Sequence, residues 1–93
     1  MATVDSASEE SPLSFPCEIA VKVFGRNAPE FRAEARDIVG RHYVDLPDGA
    51  VSEQLSRKDA YLSLTFVVNA QSREEIDALY RELTTSGEIL MVL

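Results

Sequence analysis

Ninety-three residues with 16 acidic and 9 basic side chains, a net charge of −7, make one small domain poorly suited to nucleic acid or anionic lipid, which bind through clustered cations. The chain is 45% apolar, yet no run approaches the roughly 20 apolar residues that span a bilayer. One cysteine, Cys17, excludes an intrachain disulfide framework, and with the one histidine, His42, it cannot build a zinc site alone.

Residues 1–14, MATVDSASEESPLS, hold Ser, Ala and acidic residues with little to bury, which predicts a disordered acidic tail ahead of a domain at 15–93. The tail has no Lys or Arg and no apolar core, so it does not read as a secretory signal, and the expected location is the cytoplasm. From Cys17 to Gly25, Ile19, Val21 and Val23 alternate with Glu18, Ala20, Lys22 and Phe24, the period of a strand with one face in the core. Gly25 ends that strand, Asn27 is placed to cap a helix, and Pro29 suits its first turn. Ala28 to His42 then carries Phe31, Ala35, Ile38 and Val39 at helical spacing, with an Asp37–Arg41 pair on its outer side. His42, among charges near the helix end, reads as a surface histidine.

Leu46-Pro47-Asp48-Gly49 is a turn by its chemistry. Ala50 to Arg57 alternates weakly, as a polar edge strand does, and Arg57-Lys58-Asp59 connects it to the strongest strand, Tyr61 to Asn69. There Leu62, Leu64, Phe66 and Val68 line one face, and Tyr61, Ser63, Thr65 and Val67 the other. Ser72 with Glu75 forms a capping box for a helix running to about Thr84, with Ile76, Leu79, Tyr80 and Leu83 on one stripe and Gly87 as its stop. The run Glu88 to Leu93 is a last strand, with Ile89, Met91 and Leu93 expected inward and Leu90 and Val92 outward.

Strand, helix, strand, strand, helix, strand predicts an α+β domain of the ferredoxin-like βαββαβ kind. Right-handed crossovers give an antiparallel sheet in spatial order 4-1-3-2, with both helices on one face. The opposite face is then open. It mixes small, hydroxylated and apolar groups where a solvated face would carry charge, and Phe24, Tyr61, Val67, Leu90 and Val92 are its candidate interaction surface.

No Ser-His-Asp grouping, phosphate loop or dinucleotide fingerprint is present, and neither a catalytic residue, a metal nor a cofactor is expected. One loop, Gly25-Arg26-Asn27-Ala28-Pro29, meets a helix N-terminus, where free N–H groups suit an anion; Gly25, Arg26 and Asn27 are its candidate ligand-binding residues. The loop is similar in position to that of ACT domains, which bind amino acids between paired copies, but Glu30 stands after Pro29 where glycine is typical. The run GRNAPEFR also resembles the acylphosphatase phosphate loop, without its second glycine and one residue short between Gly25 and Arg32. RNA-recognition domains share the topology, yet the third strand lacks their basic-glycine-aromatic signature and the net charge is wrong.

A broader resemblance covers residues 15–93. Phe15-Pro16, Lys22-Val23-Phe24-Gly25, Pro29-Glu30, Arg41-His42, Val68-Asn69-Ala70, Leu79 to Leu83 and Met91-Val92-Leu93 occur in order and at matching spacing, and together resemble the YbeD-like family of small bacterial proteins. The resemblance implies a ferredoxin-like fold similar to ACT regulatory domains and brings no functional residues with it. The expected function is a non-enzymatic regulatory or interaction module, working as a homodimer or by docking on another protein. The alternatives are a sensor for an amino-acid-like small molecule at the Gly25–Pro29 loop and, more remotely, an acyl phosphate hydrolase.

Overall fold

The computed structural model describes residues 14–93, so the expected tail lies outside the described residues save Ser14. The chain runs β1 (Cys17–Arg26), α1 (Pro29–His42), a 3-10 turn (Asp48–Ala50), β2 (Val51–Leu55), β3 (Tyr61–Ala70), α2 (Arg73–Thr85) and β4 (Ile89–Val92). The strands form one antiparallel sheet in the order β2-β3-β1-β4, the arrangement that the sequence pattern predicts.

Alternation places the core. Val21 and Val23 of β1 and Leu62, Leu64, Phe66 and Val68 of β3 are buried under the helices, which contribute Phe31, Ala35, Ile38 and Val39 from α1 and Ile76, Leu79 and Leu83 from α2. Every buried residue among those described is apolar, so no buried charge has to be compensated. Each fully buried Leu, Ile, Val or Phe side chain contributes on the order of 1.5–3 kcal/mol, so sheet–helix packing dominates the fold.

Polar contacts orient the layers. Ser72 Oγ accepts from the Glu75 N–H at 3.1 Å, as a capping box requires, but Glu75 Oε1 turns to the Gln71 N–H at 2.9 Å. Arg41 and His42 both reach Glu82 on α2, the latter with Nε2 2.8 Å from Oε1, so His42 joins the helices and is only one-fifth exposed. Ser86 closes α2 through its N–H to Leu83 O and donates its hydroxyl to Glu34 of α1 at 2.9 Å. Gly87 keeps negative φ and makes no left-handed cap.

Three expectations change. First, β1 continues through Arg26, and Gly25 lies buried within it; a Cβ there would fall within 2.6 Å of Phe31 Cγ and Cε1. The glycine admits the Phe31 ring onto the strand and turns nothing. Second, Asn27 does not cap α1. Ala28 occupies that position without a side-chain bond, while Asn27 donates its amide Nδ2 to Asp59 O at 2.8 Å and its N–H to Ala60 O at 3.1 Å. The β2–β3 hairpin, bent by Asp59 at φ 57°, a left-handed conformation that Asp tolerates, takes up both donors.

Third, β4 changes phase. Val92 pairs with Val23 and Met91 with Phe24, but Gly25 pairs with Ile89, so Leu90 is an extra residue in a β-bulge. Residues directly opposite share a face. Val92 therefore faces the core with Val23, against the expectation that it is outward, and Met91 takes the open face beside Phe24.

Candidate functional site

Register builds the open face from β1 outward. Phe24 stands between Ser63 of β3 and Met91 of β4, Lys22 between Thr65 and Leu93, Ala20 beside Val67, and Arg26 beside Tyr61. Leu93 belongs to this face because it exchanges two backbone bonds with Lys22, at 3.1 and 2.8 Å. The Tyr80 hydroxyl of α2 also donates to Leu93 O at 3.0 Å; burial raises its pKa, which keeps it protonated as a donor.

The five residues expected to form one surface separate under this register. Tyr61 begins β3 and Val67 lies six positions along it, about 20 Å away. Tyr61 lies under the Arg26 guanidinium, whose carbon is 5.9 Å from the ring centroid, and Val67 borders a cleft beyond the start of β2. Val92 is turned inward. Only Phe24 and Leu90 remain together, and the structure adds Met91 and Leu93, which the assumed strand period placed in the core. Leu90, Met91 and Leu93 are 58%, 50% and 62% exposed, the densest apolar exposure on the sheet. The signal for them was present in the unbroken apolar run, which has no polar residue to fix its phase.

The two sheet edges differ. On β2, Glu53 points to the helix side opposite Leu64 and is held by Arg32 and Arg36 of α1, with nitrogen–oxygen distances of 3.2–3.4 Å. A charge turned inward on an edge strand opposes pairing with another chain. On the β4 edge no side chain from Ile89 to Leu93 is charged.

At the candidate ligand loop, the groups are largely engaged within the fold. Gly25 is buried under Phe31, Asn27 holds the hairpin, the Ala28 N–H donates to Arg26 O at 2.8 Å, and Arg26 rests on Tyr61.

Two hollows flank the sheet. One, of about 700 Å³, lies between the 43–50 loop, with Tyr43 and Asp45, and the sheet end, with Glu18, Val67 and Asn69. Tyr43 lines this hollow but its hydroxyl is buried, and burial, aided by the nearby Glu75 carboxylate, raises its pKa far above the phenol range, which leaves it protonated. The other, of about 280 Å³, is a shallow dip on the open face bounded by Lys22, Phe24, Gln54 and Tyr61. Among the described residues no cluster of three His, Cys, Asp or Glu side chains is arranged to hold a metal ion, and no helix is long and apolar enough to cross a membrane.

A family model described as "Protein of unknown function (DUF493)" matches residues 10–93. Among similar proteins, UPF0250 protein NE1487 of Nitrosomonas europaea is 34% identical over 86 residues, covering 92% of this chain and 99% of its own. A UPF0250 protein of Hahella chejuensis is 35% identical over 89 residues, covering 96% and 98%. Two solved structures share the fold. The C-terminal domain of the MgtC protein from Mycobacterium tuberculosis has a TM-score of 0.63 at 16% identity, covering 82% of each chain. Protein HP0495 from H. pylori has a TM-score of 0.63 at 10% identity, covering 100% of this chain and 98% of that one. The architecture is thus the ferredoxin-like βαββαβ fold. With near-complete coverage at a third identity, the YbeD-like resemblance is borne out: the chain belongs to the DUF493 family of small bacterial proteins.

Proposed function

We propose that this chain is a non-enzymatic regulatory or interaction module that receives a protein partner on the β4 side of its open sheet face. One observation carries the reading: Phe24, Met91 and Leu93 share the open face across β1 and β4, with the exposed bulge residue Leu90 next to them, along an edge whose side chains carry no charge. Strand addition at such an edge supplies backbone hydrogen bonds, while the apolar side chains beside it supply burial. The Gly25–Asn27 loop offers a small ligand less, since Asn27 and the Ala28 N–H are spent on the fold and Arg26 on Tyr61.

A photo-crosslinking amino acid at position 91, compared with one at the exposed Asp77 of α2, tests the reading in the native cell. The expected result is a discrete protein adduct from position 91 and none from position 77. Adducts from position 77 alone, or from neither, would overturn it.

A further inference from the structure

The partner's chemistry follows from the β4 backbone and its neighbours. We infer that the partner is a second copy of this chain, joined through an antiparallel β4–β4 pair whose two-fold axis passes at Val92. This inference rests on the reading of the β4 side as the working surface.

Backbone direction sets the register. Leu93 exchanges both its backbone bonds with Lys22, and the next bonded pair along an antiparallel ladder is Met91 with Phe24. Val92, opposite Val23 between them, is in the non-bonded position, so its N–H and C=O point away from β1. Two copies meeting at Val92 across a two-fold axis exchange both N–H···O=C bonds and continue the alternation of the sheet. The same axis sets Met91 of one copy directly opposite Leu93 of the other, twice.

Side chains fit that register. Met91 and Leu93 lie on the open face, so each junction is an apolar pair between side chains that are half or more exposed in the single chain. Across the joined sheet, the row runs Lys22, Leu93, then Met91 and Phe24 of the second copy. The Lys22 stem flanks the apolar pair on one side and the Phe24 ring on the other. On the opposite face Val92 meets Val92, and both adjoin existing cores.

Charge selects both the site and the stopping point. Two chains of net charge −7 repel, and the side chains from Ile89 to Leu93 are all apolar, so this strip sets no acidic side chain against its copy. The other edge carries Glu53 with Arg32 and Arg36, which disfavours head-to-tail growth of β4 on β2. Assembly therefore closes at two copies, giving an eight-stranded sheet with one Glu53-guarded edge at each end. The contact is short, so it is a weak and reversible one.

Sedimentation equilibrium of the full chain, from about 10 μM to about 1 mM, tests this, with folding of each variant checked by circular dichroism. The wild type is expected to rise from monomer towards twice the monomer mass. V92P removes the bonding N–H but no bond to β1, and M91K replaces the apolar half of both Met91–Leu93 pairs by a cation; both are expected to stay monomeric. M91K/L93E is expected to dimerise again, because each introduced lysine meets an introduced glutamate of the second copy. A wild type monomeric throughout the range, or a dimer indifferent to V92P and M91K, would overturn the inference. If the wild type is monomeric while position 91 still crosslinks to a different protein, the self-pairing fails and the docking surface stands; if position 91 crosslinks to nothing, both fail.

Discussion

Replacing Gly25 by alanine sets a methyl group where the Phe31 ring already lies. The added Cβ would approach Phe31 Cγ and Cε1 to 2.6 Å, far inside van der Waals contact, and Phe31 is fully buried between β1 and the rest of the core. Relief requires Phe31 to leave its rotamer or α1 to move from the sheet. Overpacking of this kind costs about 1–3 kcal/mol. At about 4–8 °C per kcal/mol for a domain of this size, a 2 kcal/mol loss lowers Tm by roughly 8–16 °C. Gly40, in α1 with nothing within 4 Å of an added Cβ, is the control: G40A gains helix propensity and raises stability by about 0.5–1 kcal/mol. Thermal denaturation of G25A, G40A and G25A/F31L separates these effects, since the smaller side chain at position 31 should return part of the loss. A G25A Tm within 2 °C of wild type would refute the packing role of Gly25 and return its identity to the loop and its ligand.

The β4 bulge predicts that V92D, aimed at the core, loses about 1–3 kcal/mol in urea denaturation, while M91D on the open face loses less than about 0.5 kcal/mol; equal losses would contradict the phase. S72A removes the side-chain acceptor of the Glu75 N–H and should cost about 1 kcal/mol by the same assay. Glu82 titrates below its ordinary value of 4.5, chiefly through its hydrogen bond with His42 and also through Arg41. A depressed carboxylate contributes stability above the unfolded pKa and loses it as pH falls through the folded one. The stability difference between wild type and E82Q should therefore be full above pH 4.5 and shrink below it. A difference independent of pH across that range would rule out the ion pair as its source.

Periodicity made most of the architecture legible. Val21 and Val23 against Lys22, the four-residue alternation Leu62, Leu64, Phe66, Val68, and the helical stripes of Phe31–Val39 and Ile76–Leu83 each state their buried face. Ser72 announced its helix because a cap is a local interaction. What depended on distant residues was hidden. Gly25 owes its identity to a ring six positions along the chain and across a layer boundary, and Asn27 serves a hairpin some thirty residues away. The run Ile89–Leu93 is apolar throughout, so no residue in it marks where the period slips, and one bulge exchanged Val92 for Met91 on the candidate surface. Glu53 looked like a polar edge residue; only the position of α1 shows that Arg32 and Arg36 hold it inward.

The most direct test of the open-face account is the loss of exposure to a soluble paramagnetic probe, followed residue by residue in the NMR spectrum as the chain associates. The account predicts selective protection of the Val92 amide and of the Leu90, Met91 and Leu93 methyl groups, with α1 and α2 unchanged. Protection centred on the helices, or on the 43–50 loop and its cleft, would contradict it.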